Sequence, residues 1–181
     1  MSTYIAFLRA VNVGGRSVPM GTLRDCLTSA GFTDVETYIQ SGNVRVGSRA
    51  RSGAKVEEKL EKLMAQALGF PVPAIVRTPR ELVATVEFAP PSPLGDEARH
   101  YLAFLRSTPS AAAAKNLNGW DENGERLTLV GRDLHLWFTK PSHEAKATNA
   151  RLEKIAGTAA TSRGWKVVSA LAAKWGESGS S

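Results

Sequence analysis

Tyr4-Ile5-Ala6-Phe7-Leu8-Arg9 and Tyr101-Leu102-Ala103-Phe104-Leu105-Arg106 are one six-residue segment written twice, differing only at Ile5 against Leu102. Each copy mixes aromatic and aliphatic side chains as a buried strand does. Each then runs into a Pro-containing turn and a helical pattern. A repeat at this spacing predicts a duplicated unit of roughly ninety residues, the size of a small α+β fold.

Working outward from the first copy, residues 3–11 read as a strand, followed by the loop Asn12-Val13-Gly14-Gly15-Arg16-Ser17. Pro19, with its fixed φ and missing donor, suits a helix opening. Met20, Leu23, Leu27 and Ala30 form one apolar stripe that Gly31 can end. Residues 34–40 and 43–47 read as strands joined across Ser41-Gly42. A helix over 53–68 buries Val56, Leu60, Leu63, Met64 and Ala67, with Glu58 and Lys62 paired on its wet side. Residues 72–77 add a fourth strand, and 79–87 a short helix. The order is βαββαβ, a split βαβ arrangement.

Ala89-Pro90-Pro91-Ser92-Pro93-Leu94-Gly95 is the strongest linker signal and precedes the second copy. From there the pattern gives a strand at 100–107, a helix from Pro109 to about 116, and strands at 125–131 and 134–139. A helix over 148–156, an extended piece at 158–161 and a helix over 163–175 follow. The predicted fold is α+β, two tandem ferredoxin-like (βαββαβ) halves forming one compact unit. Its parts are 1–88, a Pro-rich linker at 89–99, 100–175, and a disordered tail at 176–181.

With 181 residues, 43% of them hydrophobic and 22% charged, the chain has an ordinary globular composition. The net charge is +6, and it is spread evenly: 11 Lys/Arg against 8 Asp/Glu in residues 1–88, and 12 against 9 in residues 89–181. Such dispersal favours solubility over a dedicated nucleic-acid face. No stretch approaches the roughly 18 apolar residues of a membrane span, and Met-Ser-Thr-Tyr-Ile has no charged leader pattern. The lone cysteine, Cys26, has no intrachain partner, so the expected setting is reducing and cytoplasmic, with no membrane partner.

Three segments offer chemistry. Gly14-Gly15 with Arg16 lies between a strand and a helix, where backbone N–H groups can form an anion nest, although two glycines also suit a tight βα connection. Neither named nucleotide loop is present. Gln40, Ser41, Gly42 and Asn43 cluster donors and acceptors at a hairpin tip, and the same residues suit a turn for local reasons. Thr148 or Asn149 can cap a helix, and Arg163 with Trp165 stands at another helix start, where cation and indole suit an anionic or planar ligand. Nothing points to a catalytic constellation, a metal or a cofactor. His100, His135 and His143 are far apart in sequence, His143-Glu144 lacks a second histidine one turn on, and Ser52-Gly53-Ala54-Lys55 reads as a helix cap.

These segments also carry a resemblance. Phe7 to Arg16 with Met20 and Leu23, Tyr38 to Val44, and Thr148 to Glu153 through Arg163 and Trp165 resemble the bacterial domain of unknown function 1697 family. The resemblance implies two ferredoxin-like halves and no established activity. Ala10 stands where the family usually has Gly, Ser17 where Asn is frequent, and Gly164 and Val167 where Asn and Thr are usual.

The leading expectation is a binding protein for a phosphate-bearing small molecule or nucleic acid. Arg9, Asn12, Gly14, Gly15, Arg16, Gln40, Ser41, Gly42 and Asn43 would converge at one end of the first sheet, with Asn149, Arg163 and Trp165 as further contacts. The rival is a small-molecule enzyme using a cleft between the halves, and a third reading is a structural or oligomerising protein. Oligomeric state is not legible.

Overall fold

In a computed structural model of the chain, which describes residues 1–9 and 17–176, the first five residues of each repeated hexapeptide lie in an interior strand of an antiparallel sheet. The class is α+β. The chain divides into a unit of Met1–Val83 with Leu171–Ser181 and a unit of Ala84–Ala170.

The first unit runs β1 (Ser2–Leu8), α1 (Met20–Ser29), β2 (Thr33–Tyr38), β3 (Asn43–Ser48), α2 (Gly53–Leu68) and β4 (Ala74–Arg77), with strand order β2-β3-β1-β4. Period-two alternation sends Tyr4, Ala6, Leu8, Val44, Val46, Ala74 and Val76 into one core, where they meet Leu23 and Leu27 of α1 and Val56, Leu60 and Met64 of α2. Each Val, Leu and Met side chain among them contributes about 1.5–3 kcal/mol by leaving water. Ile5, Phe7, Asn43, Ile75 and Arg77 on the opposite face are buried as well. With both faces covered, β1 reads as a continuous apolar run rather than an alternation.

Helix limits follow local chemistry. Ser52 Oγ accepts a hydrogen bond from Lys55 N at 3.4 Å, and Gly69 at φ 75° closes the far end of α2 in the left-handed region. Pro19 is the residue before α1, not its first turn. α3 (Pro79–Glu87) follows β4.

The second unit contains β5 (Arg99–Leu105), α4 (Ala111–Asn118), β6 (Asp121–Glu122), β7 (Glu125–Val130), β8 (Asp133–Phe138), α5 (Asn149–Ala156) and β9 (Ala160–Gly164), in the order β6-β7-β8-β5-β9. α6 (Trp165–Trp175) closes the described chain. Ala103, Leu105, Leu134, Leu136 and Phe138 of the sheet pack with Leu117 of α4 and Leu152 of α5. The two-residue β6 is too short for any periodicity and is absent from the sequence-based expectation.

Corresponding bonds recur at corresponding residues. Leu8 N donates to Gly42 O at 2.8 Å and Arg9 N to Pro73 O at 2.9 Å; Leu105 N donates to Arg132 O at 2.9 Å and Arg106 N to Ala159 O at 3.0 Å. The outward N–H groups of β4 are also matched, Ala74 N to Glu61 Oε1 and Val76 N to Glu57 Oε1, both at 2.9 Å. Ala160 N of β9 donates to Glu153 Oε1 at 3.0 Å.

Two local expectations change. The link between β2 and β3 spans residues 39–42, because Ile39 turns into the left-handed region at φ 49° and leaves the strand early. Arg163 is not at a helix start: it belongs to β9, opposite Leu102 of β5, and the helix begins at Trp165. The tail expected to be disordered lies, from residue 177 on, outside the described residues.

Candidate functional site

The first unit brings the end of β1 and the hairpin tip together. The Leu8 N bond to Gly42 O sets Arg9 beside the tip, and the Arg9 N bond to Pro73 O joins the start of β4 to the same end. Arg9 is half-buried, and Gln40 and Ser41 are exposed. Asn43 is fully buried, and its Nδ2 donates to Tyr38 O at 3.2 Å and Ser41 Oγ at 2.7 Å. Its amide therefore braces the turn, the local role that such residues often take. Gly42, at φ 74°, supplies the second left-handed residue of the tip. Ile39 is the unusual one. A β-branched residue at φ 49°, half exposed, is strained and is found where other interactions over-determine the backbone. Asn12, Gly14, Gly15 and Arg16 lie outside the described residues.

The three C-terminal candidates separate in the second unit. Thr148 Oγ1 caps α5 by accepting from Arg151 N at 3.4 Å, and Asn149 Oδ1 accepts from Ser162 Oγ at 2.7 Å. Asn149 lines a cavity of about 190 Å³ with Tyr101, Phe138, Ser142, Thr148 and Ser162 among its walls. Arg163, the next residue along β9, projects to the other face by strand alternation. Its Nη1 donates to Thr161 Oγ1 at 2.9 Å and Ser162 O at 2.8 Å. Burial lowers its pKa to about 10, the guanidinium still being charged at neutral pH.

Trp165 belongs to a cluster that the sequence reading missed. The β5–β8 register sets His100 opposite Trp137 and Leu102 opposite His135, so the pleat places both histidines and Trp137 on one face. His100 Nε2 and His135 Nδ1 are 2.9 Å apart and share a hydrogen bond. The His100 ring stacks on Trp137 at 3.8 Å and 15° and on Trp165 at 4.1 Å and 25° between centroids and planes. Two indoles cannot share one face of a five-membered ring at these distances, so one lies on each side. Burial, with the neighbouring His135 adding to it, lowers the His100 pKa to about 3; burial lowers that of His135 to about 4, against an opposing pull from Asp133. Both rings are neutral at pH 7. His100, Trp137 and Trp165 border a cleft of about 340 Å³ whose other wall is the segment from Ala89 to Ala98. His135 and Trp137 do show alternation in Asp133-Leu134-His135-Leu136-Trp137. Pairing them with His100 needs a strand register that no short window contains.

Among the described residues, no group of three or more His, Cys, Asp or Glu side chains is placed to hold a metal ion. No helix among them is long and apolar enough to cross a membrane.

No functionally curated protein matches the chain. A solved structure, that of the conserved bacterial protein SP0830 from Streptococcus pneumoniae, is similar in fold, with a TM-score of 0.75 at 22% identity, covering 98% of this chain and 99% of that one. The family model described as a protein of unknown function (DUF1697) matches residues 1–135. The spacing of Phe7 to Arg16 and of Tyr38 to Val44 falls within that match, and the chain belongs to the DUF1697 family.

Proposed function

We propose that this is a binding protein that takes a phosphate-bearing ligand, a nucleotide or nucleic acid, at the end of the first sheet where Arg9 meets the hairpin tip. The observation that carries this reading is the strained, solvent-facing tip beside a cationic side chain: Ile39 at φ 49° with exposed Gln40 and Ser41, held against the end of β1 through Gly42 O. Arg9 is followed in sequence by Ala10-Val11-Asn12-Val13-Gly14-Gly15-Arg16, which adds two glycines and a second cation.

The reading includes an internal duplication of ferredoxin-like halves. Supporting it are the matched orders β2-β3-β1-β4 and β7-β8-β5-β9 and the paired bonds of Leu8 with Leu105 and Arg9 with Arg106. The copies differ where the ligand is placed. In the second, Gly131-Arg132 joins β7 to β8 directly, Arg132 Nη1 donates to Arg106 O at 3.0 Å, and Asp133 Oδ2 accepts from Thr85 Oγ1 at 2.6 Å. The single free thiol, Cys26, suits a cytoplasmic setting.

The test is a thermal-shift series with inorganic phosphate, pyrophosphate, nucleotides and short RNA or DNA, with salt varied. A ligand present at 100 times its Kd adds about 2.7 kcal/mol, a rise of about 5–10 °C for a chain of this size. Arg9→Ala with Asn12→Ala should abolish it. An unchanged shift in that double variant would sink the site assignment.

A further inference from the structure

We propose that the cleft beside the Trp137–His100–Trp165 stack, wholly within the second unit, binds a small planar uncharged nitrogen heterocycle carrying an amino group, of nucleobase size. This inference is independent of the phosphate reading. Four features define the ligand.

The first is shape. The cleft holds about 340 Å³, at the small end of the roughly 300–1,000 Å³ of ligand sites. One wall is made of aromatic rings and the other includes Pro90 and Pro91, whose fixed φ leaves little freedom to lose when a ligand enters. Flat walls of this composition favour a flat guest.

The second is an unused donor. Trp137 is 6% exposed, and its indole Nε1–H is buried with no hydrogen-bond partner among the described residues. Such a group is costly to leave unpaired, and a guest whose acceptor reached it would satisfy it.

The third is His100. Its Nε2 is committed to His135 Nδ1, while no described residue engages its Nδ1. Holding the ring flat between two indoles fixes where that nitrogen points. The His pair offers the guest either a donor or an acceptor, according to which way the shared proton lies.

The fourth is charge. Among the described residues, Asp96 is the one charged side chain bordering the cleft, and it is exposed. A carboxylate with no ion-pair partner among the described residues repels anions and accepts from an exocyclic amine. Acceptor toward Trp137, donor toward Asp96 and a flat aromatic body together describe an amino-substituted nitrogen heterocycle.

The experiment uses the full chain labelled with ¹⁵N and follows the indole N–H resonances of Trp120, Trp137, Trp165 and Trp175, assigned by single Trp→Phe variants. Adenosine, cytidine, uridine, inorganic phosphate and a short single-stranded oligonucleotide are titrated separately. The expected result is a saturable shift of the Trp137 and Trp165 resonances with adenosine or cytidine, with Trp120 and Trp175 unmoved. Uridine, lacking the amine, should bind at least tenfold more weakly. Trp165→Phe should keep the shift, and Trp165→Ala should weaken it at least tenfold. Asp96→Asn, at an exposed position that leaves the fold intact, should narrow the gap between cytidine and uridine, which keeps the proposal testable if Trp165→Ala does not fold. No saturable shift with either amino-nucleoside up to millimolar concentration would overturn the proposal, as would binding unaffected by Trp165→Ala or seen only with the oligonucleotide. A response to phosphate that depends on Arg9 and leaves Trp137 and Trp165 unmoved bears on the first unit alone.

Discussion

Glu125 is the residue on which the second unit's loop from Ser142 to Ala147 depends, and removing its carboxylate gives a quantitative test of that claim. It opens β7 and is 1% exposed. Oε1 accepts from Lys146 N at 2.6 Å and Asn123 Nδ2 at 3.0 Å, and Oε2 accepts from Ala147 N at 2.8 Å. In Glu125→Ala, Lys146 N and Asn123 Nδ2 lie near the surface and recover water, at a combined cost of about 1 kcal/mol. Ala147 is 5% exposed, so its N–H stays buried and unpaired at a cost of about 2–3 kcal/mol. The expected loss is about 3–4 kcal/mol, a fall in Tm of about 10 °C for a chain of this size. Glu125→Gln keeps one acceptor but turns an NH₂ toward a backbone N–H, and should lose about half as much. Urea unfolding gives the free energy, and hydrogen exchange at the Ala147 amide locates it. Glu122→Ala is the internal control, because its ion pair with Arg151 at 3.0 Å is exposed and should leave the midpoint almost unchanged. A Glu125→Ala protein that lost less than about 1 kcal/mol at an unchanged m-value, or kept Ala147 protected, would refute the reasoning.

Two further outcomes follow from geometry already described. Ile39→Gly relieves a β-branched residue at φ 49° and should raise stability by about 1 kcal/mol in chemical denaturation; a loss of stability would show that the Ile39 side chain outweighs its backbone strain. The histidine pair sets a pH dependence. An unfolded histidine takes up its proton near pH 6.5, while His100 and His135 in the fold resist until about 3 and about 4. The unfolded state therefore binds more protons across that window, and stability, fully present above about pH 6.5, falls as pH is lowered toward about 4. Proton uptake on unfolding near pH 5, measured by calorimetry in buffers of different ionisation enthalpy, should drop by about one proton in His135→Phe, and an unchanged uptake would count against a neutral His135.

What could be read in advance was whatever chemistry keeps within one turn or one strand. α2 was legible to the residue because Ser52 accepts at its start, Gly69 permits the left-handed stop and Val56, Leu60 and Met64 recur on one side. The central strands were legible because Tyr4–Arg9 and Tyr101–Arg106 announce themselves twice. Arg163 was misplaced because a strand of five residues, Ala160–Gly164, gains its definition from β5, sixty residues earlier in the chain. Asn43 was read as a contact for a ligand, and its amide is spent on Tyr38 O and Ser41 Oγ. The His100–Trp137–Trp165 stack depends on strand register together with the start of α6, so three separate windows had to be joined before any of them meant anything.

The glutamates of α2 and α5 have a consequence for assembly. β4 and β9 each end a sheet, and a sheet's last strand normally offers its outward N–H groups to any extended peptide that passes. Here Glu57, Glu61 and Glu153 have already taken the Val76, Ala74 and Ala160 donors. A visiting strand would have to displace a carboxylate to pair at these positions, which opposes recruitment by strand addition there. The opposite margins differ from each other: β6 is two residues long, and β2 runs for six. Among the described residues, the longer of these two margins is β2, Thr33–Tyr38, next to the hairpin tip.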